Sequence, residues 1–538
     1  MPVRFSSPMM FAGLLLLALV LPSQIMAAEK LPIVKDGKPV AQLVLPKLTG
    51  DMATLPQRTI NDYTKPNFDW ELAAAKDISK TGTYIVIGDV KNNATLAELA
   101  KSGVNLSTDG LGEEGFRIVT HTAGDRRYVI LLANTPVALK YACQELVFFR
   151  LGVTDNNAAF DWPLAVKKVP DFAYRGIYML PCWAQHDSVE SWRRVLLFNS
   201  ELTINRNWFW LNGFPLNPQY NEEYKGTDLS NVPNVRSLIE LTHAEGMKFF
   251  VGGGWYTWHH EKVAKGDLEK GVDYYRNLLK VLPGVDGIYL EPPGEIGEVE
   301  PAKWSVRTKA LKQLATEIWK TQPGFEFAIA VGKINDPGYL KALHEIDTKR
   351  IYWWWCWGDP VVDKALEKHP LVLRWHTMPN YDMGAPPKKT EKGLTGFATS
   401  YDPGMGFGNL WNGKGLGVET GIAAAREFHP HTIPYFGLEY QYREHAWDVE
   451  ITDAEFAARL ARRLFDEPYA AEGVKHYLAL TETSATPEKG TEEFLKPIEA
   501  FLNQHGGNGS ARNRDTFSRM RTAIAGFRQL AAEPKKTK

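Results

Sequence analysis

Cysteine is scarce in this chain of 538 residues. There are three, Cys143, Cys182 and Cys356, far apart and without metal-site spacing. At most one disulfide can form, so stability must come from a hydrophobic core rather than a disulfide framework. Net charge is equally scarce. Sixty-two basic against 63 acidic residues leave −1, which offers no general attraction to nucleic acid or an anionic membrane. Long apolar runs are missing too. The strongest, Phe11 to Leu21, has eleven residues, against the roughly 20 that a bilayer span needs. Arg4 precedes it and the small residues of Pro22–Ala28 (PSQIMAA) follow, which is the layout of a secretory signal peptide cleaved near Ala27 or Ala28. Residues 1–27 are therefore expected to be an export signal. The mature chain is expected to be soluble, periplasmic or secreted, with no membrane contact after cleavage. What the chain has in excess is aromatic: 17 Trp, 21 Tyr and 25 Phe, 12% together. With 45 Gly and 33 Pro marking many turns, this favours a large enzyme or binder, although aromatics mostly serve cores.

The pattern along the chain predicts an α/β fold in three parts. In 28–169, Ile33–Leu45 reads as two strands around Asp36-Gly37, a hairpin signal. Thr83–Gly88, Gly115–Thr120 and Tyr128–Leu132 read as strands, and Asn93–Ser102 and Pro136–Leu151 as helices. Over 170–466 strands and helices alternate. The expected strands are Ala173–Leu180, Asn207–Asn212, Lys248–Gly253, Gly287–Glu291, Glu326–Val331, Arg350–Trp355, Leu371–His376 and Tyr435–Tyr440. The expected helices between them are Val189–Asn199, Val235–Glu245, Val272–Val281, Ser305–Lys320 and Pro337–Ile346. Eight strands with this rhythm predict a (β/α)8 TIM barrel. Pro379–Gly421, rich in Gly, Pro, Tyr and Trp, reads as a long loop over its mouth. The rival, a doubly wound sheet, lacks a Gly-rich phosphate loop after an early strand. Beyond Asp453–Phe465, an amphipathic helix, residues 467–538 read as helices with a disordered tail.

Reactive groups of such a barrel sit at the C-terminal ends of its strands. Those ends carry Tyr178, then Trp183; Asn212; Trp255 and His259; Glu291 and Glu295; Trp355, Trp357 and Asp359; Trp375, His376 and Asp382; and Glu439, Tyr442 and Arg443. Flat apolar sugar faces pack on aromatic rings, and sugar hydroxyls take Asp, Glu, Asn, His and Arg as partners. The combination at most of the eight ends suits a carbohydrate, although any single Trp is more often core. Glycosidic cleavage uses two carboxyl groups, about 5–5.5 Å apart for retention and about 6.5–9.5 Å for inversion. Glu291 or Glu295, held by a Pro-Pro-Gly spacer, is the preferred general acid. Asp359, Asp382 and Glu439 are the candidates for the second carboxylate. Arg443 either meets a substrate carboxylate or pairs with Glu439 or Glu444. No metal is expected: His259 and His260 are adjacent, so in a strand they face opposite ways, and no His-Glu-x-x-His spacing occurs. No other cofactor is implied, and no Gly-x-Ser-x-Gly turn supports a serine nucleophile.

Five stretches carry a family likeness. The α/β part with YIVIG, GLGEEGFRIVT and a helix ending ELVFFRLGV, followed by YRGIYM and WRRVLLFNSELTINRNWFWLNG, resembles α-glucuronidases, β-N-acetylhexosaminidases and related exo-glycosidases over about 28–465. The resemblance implies an N-terminal α/β domain, a catalytic TIM barrel and carboxylate general acid/base catalysis on a terminal sugar. Substrate-assisted hexosaminidases carry two adjacent acids after the fourth strand; here Glu291 is followed by Pro292, which points away from that mechanism. α-Glucuronidases, with an acid after the fourth strand and carboxylates on later ones, fit Glu291 or Glu295 with Asp359 or Asp382. The expectation is an exported glycosidase acting on the end of a poly- or oligosaccharide, a uronic acid being one such end. A hexosaminidase-type enzyme and a non-catalytic carbohydrate-binding barrel are the alternatives. The C-terminal helices are expected beside the barrel, with a homo-oligomer interface as one role open to them.

Overall fold

A computed structural model describes residues 29–50, 52–179, 189–210, 232–253, 275–276, 278–290, 301–331, 349–355, 369–378, 394–401, 438–485 and 490–532. The export segment, Cys182 and Cys356 lie outside them; Cys143 is a free, fully buried thiol. Among the described residues no helix is long and apolar enough to cross a membrane.

The N-terminal part holds two sheets. Strands β1 (Glu29–Lys35), β2 (Lys38–Pro39), β7 (Leu151–Thr154) and β8 (Asn157–Trp162) lie in the order β2-β1-β8-β7. Strands β3 (Ala41–Val44), β4 (Gly82–Gly88), β5 (Phe116–Ala123), β6 (Arg126–Ala133) and β9 (Ala165–Lys168) lie in the order β3-β4-β6-β5-β9. The hairpin read from Asp36-Gly37 is present: both residues have positive φ, 50° and 75°, as the mirror-image tight turn needs. The second expected strand is split, however. Residues 38–39 pair back on β1, while 41–44 cross to the other sheet beside β4. The helices are α1 (Leu55–Phe68), α2 (Ala94–Lys101) and α3 (Pro136–Phe149). Asn93 caps α2 by accepting from the Thr95 and Leu96 amides, and Thr135 caps α3, which has Pro136 in its first turn. Helix α3 is buried on every side from Ala138 to Phe149, so it serves as core for more than one layer.

The second part is a closed barrel of eight parallel strands: β10 (Tyr174–Met179), β11 (Arg206–Trp210), β12 (Lys248–Gly253), β13 (Gly287–Leu290), β14 (Glu326–Val331), β15 (Ile351–Trp355), β16 (Val372–Met378) and β17 (Leu394–Tyr401). Seven strands fall where the sequence places them. The eighth does not. Tyr435–Tyr440 is not the closing strand: Leu438–Trp447 is a helix, α7, and closure is made by β17, inside the stretch read as a loop. Strand β17 pairs with β16 on one side and β10 on the other. Its Gly396 is required there, because a Cβ would stand 2.2 Å from the Tyr174 carbonyl oxygen. Gly396, Ala398 and three Thr/Ser residues leave β17 without the apolar run of its neighbours, and pairing on both edges completes it as a strand. Helices α4 (Val189–Glu201), α5 (Val232–Ala244) and α6 (Pro301–Thr321) follow β10, β11 and β13. The expected helix Pro337–Ile346 lies outside the described residues, as do residues 272–274 and 277 of the expected helix Val272–Val281, whose other six residues are helical. After α7 come α8 (Asp453–Leu464), α9 (Glu467–Ala485), α10 (Glu492–His505) and α11 (Ala511–Ala532).

Alternation along each strand divides the barrel's core in two. Ile177, Phe209, Phe249, Val251, Ile288, Phe327, Ile329 and Trp353 pack in one apolar cluster with the surrounding helices, and that cluster runs on into Phe465, Tyr477, Phe501 and Phe517 of the C-terminal part. On the opposite face Trp208 stacks on Tyr289 (5.0 Å between centroids) and donates from Nε1 to Tyr174 Oη at 2.9 Å; Tyr174 in turn lies 4.7 Å from Tyr352. These rings fill the barrel interior, as side-chain layers do in parallel barrels. Trp208 has no exposed surface. Trp208→Ala is expected to cost about 3–5 kcal/mol, read as a fall in the chemical-denaturation midpoint; a loss under about 1 kcal/mol would contradict this packing.

Candidate active site

The register of the barrel sets its upper rim. Trp210 pairs with Gly252, Gly253 with Leu290, Val331 with Trp355, Trp355 with Arg374, and Met378 with Tyr401, which pairs in turn with Met179. The residues that follow these ends in sequence therefore leave from one ring. Glu291 follows Leu290 directly. Gly252 lets the rim close at that point, since a Cβ would come within 2.0 Å of the Tyr289 carbonyl oxygen. Gly252→Ala is expected to destabilise the barrel through backbone displacement; equal midpoints for the two proteins in chemical denaturation would exclude so tight an approach.

Four of the expected binding residues lie on described strand backbone. Tyr178 pairs in register with Trp208 and Ser400; Trp355 with Arg374; Trp375 with Ala398; and His376 with Thr399. They occupy β10, β15 and β16, which β17 joins into one continuous arc. Trp183, Asn212, Trp255, His259, Trp357, Glu291, Glu295, Asp359 and Asp382 lie outside the described residues. Glu439 and Tyr442 lie on α7, not on a barrel strand. Arg443 is corrected as well. It is 5% exposed, its Nε donates to the Glu201 carbonyl, its Nη1 lies 2.5 Å from Glu444, and its guanidinium covers the Phe149 ring at 4.6 Å. A guanidinium so enclosed and paired has no face left for a substrate carboxylate; the alternative reading, a pair with Glu444, is what is found.

The Trp excess also divides. Trp208 and Trp353 are fully buried, and Trp70 and Trp447 nearly so. Each is core rather than a sugar platform; Trp353 lies stacked at 4.0 Å on His369.

The sequence missed the polar plug at the opposite end of the barrel. Arg206, Lys248 and Glu326 each begin a strand. Arg206 Nε and Nη2 donate to the two Glu326 oxygens at 2.9 and 3.0 Å, Lys248 joins the same carboxylate, and the Arg206 guanidinium sits 4.2 Å over the Tyr174 ring. Burial alone would raise the Glu326 carboxyl; the Arg206 charge and hydrogen bonds, with Lys248, outweigh it and hold the group below its usual range. Burial pushes the Tyr174 hydroxyl well above its usual value. Neither group is poised near neutral pH as a general acid or base should be. With the aromatic column above it, the plug closes this end, so chemistry is left to the rim. The signal was present: basic first residues of β11 and β12 and an acidic one on β14. Their meeting, however, needs the closed ring. Among the described residues no group of three or more His, Cys, Asp or Glu is placed to hold a metal ion.

No protein-family model matches the chain, and no curated protein matches it by sequence. Solved structures match its fold. One titled CpGH84B is 11% identical with a TM-score of 0.50, over 94% of this chain and 95% of its own. A GH138 enzyme targeting pectin rhamnogalacturonan II is 11% identical with a TM-score of 0.51, over 83% of this chain and 56% of its own. A GH20 exo-β-N-acetylglucosaminidase from Vibrio harveyi is 9% identical with a TM-score of 0.47, over 83% and 76%. These neighbours are glycoside hydrolases. At such identities the likeness is one of fold.

Proposed function

We propose that this chain is an exported glycoside hydrolase. Its catalytic unit is a (β/α)8 barrel over 170–466, with the 28–169 domain and the 467–538 helices packed against it. The reaction is hydrolysis of a terminal sugar from an oligo- or polysaccharide. Glu291 or Glu295 serves as general acid, and Asp359 or Asp382 as the second carboxylate. The observation that supports this reading best is the barrel's polarity. One end is plugged by Arg206, Glu326 and the Tyr174–Trp208–Tyr289 column. The other end is followed in sequence by the residues that include the acids and the other candidate aromatics. The glycosidase fold of the neighbours agrees with it. Glu439 lies on α7 rather than on a barrel strand, so the strand-end argument no longer applies to it and the two Asp residues are tested first.

A terminal uronic acid is the finer proposal, and it now has to be recognised without Arg443. Arg374, which pairs in register with Trp355, is the cation of the barrel strands to test first. The experiment is digestion of aryl glycosides and native oligosaccharides by the mature chain, with product stereochemistry followed by NMR. Release from glucuronides but not N-acetylglucosaminides is the expected result. The reverse selectivity would make it a hexosaminidase-type enzyme. Several glycans bound and none cleaved would make it a binding barrel. Loss of turnover to a chelator, restored by added metal ion, would overturn a carboxylate-only mechanism.

A further inference from the structure

A recess of about 360 Å³ lies away from the barrel strands, between the turns of the β2-β1-β8-β7 sheet, the end of α1 and the start of α11. Three walls form it. One is a pair of turns, Gly37 and Asp155–Asn157, tied by the Gly37 amide to the Asn156 carbonyl at 2.7 Å and by the Asp36 amide to Asn157 Oδ1 at 3.0 Å. The second is the end of α1, Pro66–Asp69, with Trp70; here Phe68 stacks on Trp70 at 5.9 Å. The third is Gly509–Ala511 with Arg514.

The third wall is fixed from behind. The Ser510 amide and hydroxyl both donate to Asp466, at 2.6 and 2.8 Å, and Arg512 Nη2 donates to the same carboxylate at 2.9 Å. Asp466 is 1% exposed. Gly509, at φ 82°, has Asp466 Oδ2 where a Cβ would stand, 2.6 Å away. The recess is thus held by a buried ion pair rather than by loop chance, and a preformed concavity of this size is in the range of small-ligand sites, about 300–1,000 Å³.

Its lining carries both signs of charge, the carboxylates of Asp69 and Asp155 and the guanidinium of Arg514. Asp69 and Asp155 supply acceptors. Asn156 and Asn157 supply amides. Asn67 gives its amide nitrogen to the Tyr63 carbonyl at 2.7 Å and keeps its oxygen. Arg514 spends one nitrogen on the Gly509 carbonyl and keeps the rest of its donors. A strongly anionic ligand would meet two carboxylates, and a cation would meet the guanidinium. Donors and acceptors around a partly apolar floor of Pro66, Phe68 and Trp70 are what sugar hydroxyls and ring faces pair with.

We propose that this recess is a second carbohydrate site, binding a short neutral glycan segment without cleaving it. The proposal does not depend on the barrel being a hydrolase. It is tested by saturation-transfer NMR and titration calorimetry on the mature full chain, with xylobiose, cellobiose and maltose as probes. Two variants are used. Asn156→Ala with Arg514→Ala alters exposed recess side chains, and Glu291→Gln with Glu295→Gln alters the proposed barrel acids. The expected result is that at least one disaccharide binds, that the recess variant weakens it at least tenfold at unchanged stability, and that the barrel variant keeps it. Binding unaffected by the recess variant, or no binding by any of the three probes, overturns the proposal. Turnover of barrel substrates is expected to survive in the recess variant, so failure here and failure of the hydrolase reading give different results.

Discussion

Arg459→Met is expected to destabilise the protein by about 3–5 kcal/mol, the usual cost of removing one partner from a buried charge network. Arg459 is 6% exposed. Its Nη1 and Nη2 donate to both oxygens of Glu145, at 2.9 and 2.8 Å, and its Nε donates to Glu444 at 2.6 Å. Its guanidinium lies 3.9 Å over the Phe149 ring. Glu145 and Phe149 belong to α3, Glu444 to α7 and Arg459 to α8, so one side chain joins the N-terminal domain, the barrel's last described helix and the C-terminal part. Methionine keeps much of the apolar stem but leaves two buried carboxylates, with Arg150 (2.7 Å from Glu145) and Arg443 (2.5 Å from Glu444) as their remaining close cations. The measurement is the shift in chemical-denaturation midpoint, with more than one spectroscopic probe because a chain of this size need not unfold in one step. A loss under about 1 kcal/mol would show the network to be incidental.

The same network fixes the sign of a pH effect. Burial pushes the carboxyls of Glu145 and Glu444 up, but Arg459 and the other cations outweigh it, and both are held below the usual range. A depressed carboxyl contributes stability that is present above the unfolded value, about pH 4.3, and is lost as pH falls through the folded value. In Arg459→Met that depression is reduced, with Lys168, Arg150 and Arg443 left to sustain the rest. The gap between native protein and variant is therefore widest at neutral pH and narrows below about pH 4. A gap independent of pH from 7 to 3 would mean that the arginine acts by packing alone.

On the proposed function, the largest change in rate is expected from the acids after β13. Glu291→Gln or Glu295→Gln, whichever removes the general acid, lowers kcat by about 10²–10⁴ on a native glycoside. Glutamine keeps the shape and cannot donate a proton to the leaving oxygen. The loss is smaller on a nitrophenyl glycoside, whose leaving group departs without protonation, and the basic limb of the pH–rate profile disappears. The other variant keeps that limb. If both variants retain native turnover, the acid is elsewhere. Pro292, Pro293 and Gly294 stand between them in sequence, and each single variant is measured separately.

Much of the fold was legible from local pattern. Asp36-Gly37 forced a tight turn because few residues accept positive φ at both positions, and the polar residues Asn93 and Thr135 announced the helices that they cap. Seven barrel strands stood out as apolar runs because a parallel strand is covered on both faces. The eighth did not. Leu394–Tyr401 is paired on both edges, by β10 and β16, while Leu438–Tyr440, the described end of the run read as a strand, is helical, and Tyr440 packs in the shared core, 6.3 Å from Phe198. The candidate site followed the same division. Acids and aromatics after strand ends could be read in order along the chain. Arg443 could not be assigned, since its two readings differ only in what lies against it.

By itself, then, the sequence determined the parallel-barrel class, the positions of most strands and helices, and the turns and caps that bound them, because these depend on alternation, backbone freedom and side-chain hydrogen bonds within a few residues. The tertiary structure alone decided which strand closes the barrel, which tryptophans are core, that Arg206, Lys248 and Glu326 meet at its floor, and that Glu145, Glu444 and Arg459 meet between its parts. Those outcomes depend on residues as much as 314 positions apart, and no local pattern encodes which distant side chain will neutralise a buried charge or cover an aromatic face.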